Sequence, residues 1–513
     1  MDQVVFIPFV IYLLVIVLVS LFFWKLGSKS MENFFLGGRR INRFTTVVST
    51  IVSGRSGFQI FTLIWLTYIT GISAIWGLLG YVIFEFLSFR FIGPKVKEFA
   101  HDHDCTTFPE YISNRFSDKY NILRTFLSLI ILVCCLFLFA VSIVFSGSVI
   151  KSFLGFDELL GMIITGVALI LYCIIGGYFS VLLTDIISFI LLLLFLVVVS
   201  FTGIFKVGGW DVISTELSLL PKFYSSGVPI PGTNGNLLNP FSISLLGAII
   251  GFFSGIGGIG SPHVFQRYMS VNNAGEMKRM SLFQLGGNLF IVIFSLIAGL
   301  VSRAYFSEFQ MVDSTQRSEL LYGVSKHLVP HFFWGILLLV FFINYTSMAG
   351  SQLLISTGVI SKDIYEKLLH YKTPVKPDIQ RLFNRFIITL IAISGVVLAS
   401  IFPEFFIFSL DRVWITFFVV FSVPVILSVF WYKTSWISTL AGSIAGASVC
   451  LFTDGTFYHA LLGFSLNLLI SFLLSFIFVG KLPEKRKEKT IDVIHDPTQI
   501  ISVDHDIENP QSS

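Results

Sequence analysis

Charge is what this sequence has least of. Only 12% of its 513 residues are Asp, Glu, Lys or Arg, about half the roughly 25% of a soluble domain. With 55% hydrophobic residues and a mean hydropathy of +0.85, that shortage excludes a soluble globular enzyme. Cysteine is scarce too. Of five, Cys134, Cys135, Cys173 and Cys450 fall in apolar runs and Cys105 in a polar loop, so there is neither a disulfide framework nor a metal-ligand spacing. His263 and His459 have no ligand partners at metal spacing. No phosphate-binding glycine loop and no nucleophile paired with a base occurs. The net charge of +4 belongs to short loops, not to a nucleic-acid surface. Residues 1–24 lack a basic stretch and a small-residue cleavage site, which reads as a retained first helix.

What is present is length without charge. Apolar runs of about 20 residues, each enough to cross a bilayer, recur from end to end. Thirteen spans are expected, at 4–24, 44–64, 71–93, 122–149, 157–177, 181–205, 240–261, 282–302, 332–360, 384–402, 405–431, 435–453 and 457–480. The loops test that count independently, because Lys and Arg concentrate on the cytoplasmic side. Loop 25–43 holds Lys25, Lys29, Arg39, Arg40 and Arg43, and loop 94–124 holds Lys95, Lys97, Arg115, Lys119 and Arg124. Arg267, Lys278 and Arg279 lie in 262–281, six basic residues in 361–385, and five in the tail from Lys481. The intervening loops are poor in both. This alternation predicts an all-α, multi-pass protein of the cell's inner (plasma) membrane, N-terminus outside and C-terminus cytoplasmic. The expected parts are 1–43 (first helix and loop), 44–431 (core), 432–480 (two further helices) and 481–513, a polar, disordered cytoplasmic tail. No soluble domain is inserted, so the protein's work is expected inside the membrane.

Four stretches break the apolar pattern. The first is Val47–Phe58, where Ser53, Gly54, Arg55, Ser56 and Gly57 interrupt the second span. An arginine at that depth costs roughly 2.5–3.5 kcal/mol on insertion scales and needs a partner or a wet cavity. The run favours an unwound helix whose freed backbone groups bind ions or polar solutes, and a kinked helix with a structural Arg is the plainer reading. The second is Gly255-Ile256-Gly257-Gly258-Ile259-Gly260-Ser261-Pro262-His263 in the seventh span. It stands five helices on, in the matching position of a second five-helix half. Paired interrupted helices point to a transporter site, whereas small residues alone also serve close packing. The third is Asn344, Ser347 and Ser351 in the ninth span, on one helical face, offering hard oxygens to Na⁺ or hydrogen bonds between helices. The fourth is Asp185, a candidate partner for Arg55, or a helix-start carboxylate favoured by the dipole. Asp411 and Arg412, adjacent near a span end, read as structural, and Glu85 has no place in this reading.

At these residues the chain resembles the solute:sodium symporter family, in particular bacterial sodium/proline symporters. The likeness runs over about 5–485. It is carried by Phe35-Leu36-Gly37-Gly38-Arg39, Phe108-Pro109-Glu110-Tyr111 with Asn114-Arg115-Phe116, Gly176-Gly177 through Thr184-Asp185, Ser261-Pro262-His263, and Ser351-Gln352-Leu353-Leu354 leading to Lys362-Asp363-Ile364-Tyr365. The resemblance implies a LeuT-type five-helix inverted repeat over spans two to eleven and alternating access to a midplane site. It implies import of a small polar organic solute (amino-acid-like, sugar or carboxylate), with Na⁺ as coupling ion and the lipid bilayer as surroundings. By position, the sodium site would use Val52, Arg55, Asn344, Ser347 and Met348. A second, more cytoplasmic site would use Ser347, Ser351 and Asp185. The solute would meet Ser56, Gly57, Phe58, Ser254, Gly258 and Pro262. The chain departs from the pattern at Gly54, where the family carries an acid, and at Arg55 and Met348. A guanidinium there would repel Na⁺ by several kcal/mol at low effective dielectric, so a sodium-independent or proton-coupled carrier, or a solute sensor, stays open. Ser254 and Gly258 replace large rings, which predicts a solute larger or more polar than proline, any carboxylate lying near Arg55 or the amides of Ser56 and Gly57.

Overall fold

Lipid offers no hydrogen bonds, so each backbone group in it has to be paired within its own segment. A computed structural model of the chain describes residues 2–27, 30–54, 57–221, 237–306, 322–323, 325–369, 376–452 and 457–480. Arg55, Ser56, the side chains of Phe58 and Asp411, and the tail from 481 lie outside the described residues. Among those described, every regular element is helical, with one isolated bridge between Ile41 and Val271.

The helices that matter here are α1 (Gln3–Gly27), α2 (Arg43–Gly54), α3 (Gly57–Thr70), α4 (Ile75–Leu87), α5 (Ile122–Leu154), α6 (Glu158–Gly176), α7 (Tyr178–Val207), α8 (Leu245–Ser254), α9 (Pro262–Ser270), α10 (Ala274–Tyr305) and α11 (Trp334–Gly358). Among the described residues, ten helices are long and apolar enough to cross a membrane, or eleven when the pair Leu245–Gly260 and Pro262–Ser270, bent by 53°, counts as one. Two of the thirteen expected spans differ. Trp436–Phe452 is apolar but has 17 residues. The span expected at 44–64 is the pair α2 and α3, of 12 and 14 residues. Neither covers the ~30 Å hydrocarbon core alone at about 1.5 Å per residue.

The seventh span extends further than hydropathy allows. Residues 262–281 were expected as a cytoplasmic loop, yet all of α9 is buried. Its polar side chains lower the local hydropathy, but Gln266, Arg267 and Ser270 each find hydrogen-bond partners inside the bundle. Arg267 is therefore no loop charge, and Arg39 and Arg124, also counted as loop charges, are buried as well.

Two close approaches position the site. Gly177 (φ +55) turns α6 into α7, and a Cβ there would lie 2.9 Å from the Phe34 ring. Further on, α4 packs against α8 and the 3₁₀ turn Gly255–Gly260. A Cβ on Gly80 would lie 1.9 Å from the Phe252 carbonyl oxygen, and one on Gly255 2.4 Å from Gly80 backbone carbon. The glycines of the seventh span thus do two jobs: Gly255 and Gly260 let backbones touch, while Gly257 and Gly258 line a cavity. Helix α11, buried along most of its length, packs on α1, α5 and α7, and α2 packs on α7, α9, α10 and α11.

Candidate functional site

Ser49 and Ser53 on α2, Asp185 on α7, Arg267 on α9, and Ser347 and Ser351 on α11 converge where those four helices meet. Asp185 and Arg267 are both fully buried, with Arg267 Nη2 3.0 Å from Asp185 Oδ2. Ser49 Oγ donates to the same carboxylate oxygen and accepts from Arg267 Nε at 3.0 Å. Ser53 Oγ donates to it at 3.5 Å, and Ser347 Oγ donates to Oδ1. Arg267 also donates to Ser351 Oγ at 2.7 Å and to the His263 carbonyl at 3.0 Å, and its guanidinium lies 5.6 Å from the Tyr178 ring centre. This planar fork satisfies several acceptors at once, which an ammonium could not do.

Asp185 was read as a candidate partner for Arg55, which lies outside the described residues, or as a helix-start carboxylate; among the described residues its guanidinium partner is Arg267. The positions expected to hold a second sodium ion, Asp185 and Ser351, are bridged by that guanidinium. Arg267 was legible only as a loop charge. Its signal was Pro262 at a helix start followed by His263, Gln266, Arg267 and Ser270 at helical spacing.

Beside this cluster is a cavity of about 10 Å³, lined by Val52, Ser53, Asn344, Ser347, Met348 and Ser351, with His263 and Gln352 completing the wall. It has room for one water-sized guest, which needs roughly 10–15 Å³. The structure therefore brings together the expected ion-site residues Val52, Asn344, Ser347, Met348 and Ser351. Asn344 Nδ2 donates to the Val340 carbonyl at 2.7 Å, and its Oδ1 is buried without a partner among the described residues, as is Gln352 Oε1. Unpaired buried oxygens are costly, and here both belong to residues that line a space of ionic size.

A second cavity, about 530 Å³, has Trp414 in its wall, and the Trp414 ring meets that of His263 edge-on at 5.9 Å. Its walls include Trp65, Trp76, Tyr81 and Trp414 as well as Ser254 and Gly258. The size suits a small organic molecule, whose pockets span roughly 300–1,000 Å³. The lining is mostly apolar, aliphatic and aromatic together, and its polar groups include Thr62, Ser73 and Ser254; the indole N–H of Trp414, another lining residue, is buried without a partner among the described residues. Pro262 is not there. It lies with Phe35, Phe108, Gln266 and Met269 in a separate small cavity, because the 53° bend carries α9 away from the turn that lines the large one.

Other motifs form a lock among the segments between spans. Arg124 Nε lies 2.6 Å from Asp363 Oδ1, and its Nη2 3.2 Å from Glu110 Oε1. Thr107 caps the helix Phe108–Arg115 and donates to Asp363 at 3.0 Å. Burial pushes the Glu110 carboxyl up, but the Arg124 guanidinium and hydrogen bonds from Thr106 outweigh it and leave the group below its usual range. Arg39, similarly, reaches Glu32 at 2.6 Å and the Cys105 carbonyl at 2.9 Å.

Broken helices around an ion-sized cavity, beside a solute-sized one, within a bundle of spans, define a membrane secondary transporter and not an enzyme. The profile of the Sodium:solute symporter family matches residues 34–446, and the chain belongs to that family. The osmoregulated proline transporter OpuE of Bacillus subtilis (strain 168) is 25% identical over 495 residues, covering 94% of this chain and 96% of its own. A sodium/proline symporter of Staphylococcus aureus (strain Newman) is 24% identical over 450 residues, covering 87% and 85%. Among solved structures, a Na⁺-coupled sialic acid symporter in a substrate-bound outward-open state matches at TM-score 0.78 with 20% identity, over 93% of this chain and 99% of that one. MhsT in complex with L-phenylalanine matches at 0.52 with 14% identity, over 85% and 98%. The fold is the LeuT type implied by the resemblance.

Proposed function

We propose that this protein imports a small polar organic solute by alternating access, driven by one Na⁺ per cycle. It would sit in the plasma membrane with its N-terminus outside and its C-terminus in the cytoplasm, as loop charge suggests. The observation that carries the reading is the 10 Å³ cavity lined by Asn344, whose Oδ1 has no partner among the described residues, joined through the His263–Trp414 ring contact to the wall of the 530 Å³ cavity. Oxygen ligands suit a hard monovalent cation, and the Asp185–Arg267 pair supplies a fixed charge where a second ion would otherwise bind. That favours a single-ion stoichiometry. The solute would occupy the larger cavity against Ser254 and Gly258, with Ser56, Gly57 and Phe58 of the second span contributing as the family pattern implies. Relatives that carry proline and a sialic acid bracket the class, and the 530 Å³ space, with Ser254 and Gly258 where the family carries large rings, supports a solute larger than proline.

Uptake into proteoliposomes across proline, other amino acids, sugars, sialic acid and carboxylates, with and without a sodium gradient, tests this. Uptake of one solute that collapses without Na⁺ is the expected result. Equal uptake without Na⁺ would refute sodium coupling, and binding with no transport would make the protein a sensor. Preference for proline over all larger or more polar solutes would refute the solute assignment.

A further inference from the structure

Another cavity lies apart from the sites described above. It is a groove of about 410 Å³ between α2 and α7, and every residue that lines it is Val, Ile, Leu or Phe. Phe44 and Val48 form the α2 wall, and Ile186, Ile190, Leu194 and Val197 most of the α7 wall. Ile190 is 60% and Phe44 50% exposed, so the groove opens to the outside of the bundle. The α7 stretch from 186 to 197 rises about 16 Å at ~1.5 Å per residue, close to half of the ~30 Å hydrocarbon core. That is the depth of one leaflet's chains.

An apolar groove in a bilayer selects no lipid by itself, because every tail around it is as apolar as its walls. Retention of one lipid needs a contact that its neighbours lack, and the Phe44 end of the groove supplies charge. The exposed Arg43 opens α2 beside Phe44. The Phe44 ring lies 5.8 Å from that of Phe283 on α10. One helical turn before Phe283, on the same face, is the exposed Arg279. Exposed Arg40 and Lys278 flank the two arginines, and Glu276 is the one acid within 40–50 and 274–284. Neither Arg43 nor Arg279 has a salt bridge among the described residues. Loop charge puts this end on the cytoplasmic side, where anionic lipids gather.

We propose that this groove binds one anionic phospholipid of the cytoplasmic leaflet, its acyl chain along α7 and its phosphate at Arg43 and Arg279. Guanidinium forks suit phosphate oxygens, which they meet bidentately. The position gives the lipid a consequence. Val48 and Ile186, both in the groove wall, are the sequence neighbours of Ser49 and Asp185, whose hydrogen bond joins the same two helices in the candidate site. A chain seated between α2 and α7 favours the packing in which that bond is made, so the lipid stabilises the assembled site.

The test is thermal unfolding and native mass spectrometry of the full-length protein in detergent, titrated with dioleoyl phosphatidylglycerol, dioleoyl phosphatidylcholine or glycerol phosphate. Phosphatidylglycerol should raise the unfolding temperature and stay bound at one per protein, and the other two should do neither. Arg43→Gln/Arg279→Gln should melt like wild type without lipid, since both side chains are exposed. It should bind phosphatidylglycerol about 25-fold more weakly, roughly fivefold for each arginine at an anionic surface. Ile190→Trp and Leu194→Trp, which fill the groove from exposed positions, should lose the retained lipid. Equal effects of phosphatidylcholine, undiminished binding by the arginine variant, or lipid retained by both tryptophan variants would overturn the proposal. So would a response to glycerol phosphate alone, which would make the basic cluster a soluble-anion site. A dimer that the tryptophan variants split would give the groove to a second copy and overturn it as well. These readouts need no transport, so the inference stands or falls separately from the transporter reading.

Discussion

Replacing Arg267 by Gln tests the centre of the bundle most directly. The change keeps a polar side chain but removes the guanidinium from Asp185, which is fully buried and, among the described residues, keeps hydroxyl donors from Ser49, Ser53 and Ser347. Removing one partner of a buried ion pair costs about 3–5 kcal/mol, mostly because the other charge is left unbalanced. The bonds to Ser351 at 2.7 Å and to the His263 carbonyl at 3.0 Å are lost as well, so the upper half of that range is expected. Arg267→Lys should fail nearly as badly, since one ammonium cannot serve acceptors spread across the fork. Asp185→Asn/Arg267→Gln should recover most of the loss, because neither charge then remains. The assay is thermal unfolding of the four detergent-purified proteins in one buffer. A stable Arg267→Gln, or a double variant no better than the single, would show that the pair does not hold these helices together. Where Arg267→Gln protein can be reconstituted, Asp185, Ser347 and Ser351 become available to a cation, and the sodium dependence of uptake should steepen toward two ions.

Three further outcomes follow from the same geometry. Gly255→Ala should destabilise the fold by about 1–3 kcal/mol, the usual effect of overpacking, because its Cβ would meet the Gly80–Tyr81 backbone at 2.4 Å; Gly286→Ala, with nothing within 4 Å of its added Cβ, should be neutral in the same melt. Asn344→Ala should raise the Na⁺ concentration for half-maximal uptake about tenfold, equivalent to ~1.4 kcal/mol, while changing the solute KM far less; equal effects on both would remove Asn344 from the ion site. Glu110 lies outside the spans with its carboxyl held below the ordinary value of 4.5. A depressed group stabilises the fold above its unfolded pKa and loses that contribution as pH falls through the folded one. Acid melts below about pH 4.5 should therefore show a stability loss that Glu110→Gln flattens, and parallel curves for the two proteins would refute it.

Much of this protein is set by the linear order of its residues. A segment entering lipid without water has to pair its own backbone, so runs of apolar residues declare the helices, and glycine and polar insertions declare where two of them break. Asn344, Ser347 and Ser351 were legible because a polar face inside an apolar helix needs a destination, Val52 and Met348 only through the family resemblance, and the structure gathers all five around one small cavity. Tertiary contact decided the rest. Asp185 could be recognised as a charge seeking a partner, but Arg267 looked like a loop residue until α9 folded back into the bundle. Glu85 had no place until α4 packed on α10, where Asn288 donates to its carboxylate, and Pro262 left the solute cavity because the bend after Gly260 turns it away. Hydropathy averages over neighbours along the chain, whereas the cost of burying a charge depends on which atoms of distant helices end up within about 3 Å. That second quantity exists only once the helices have packed.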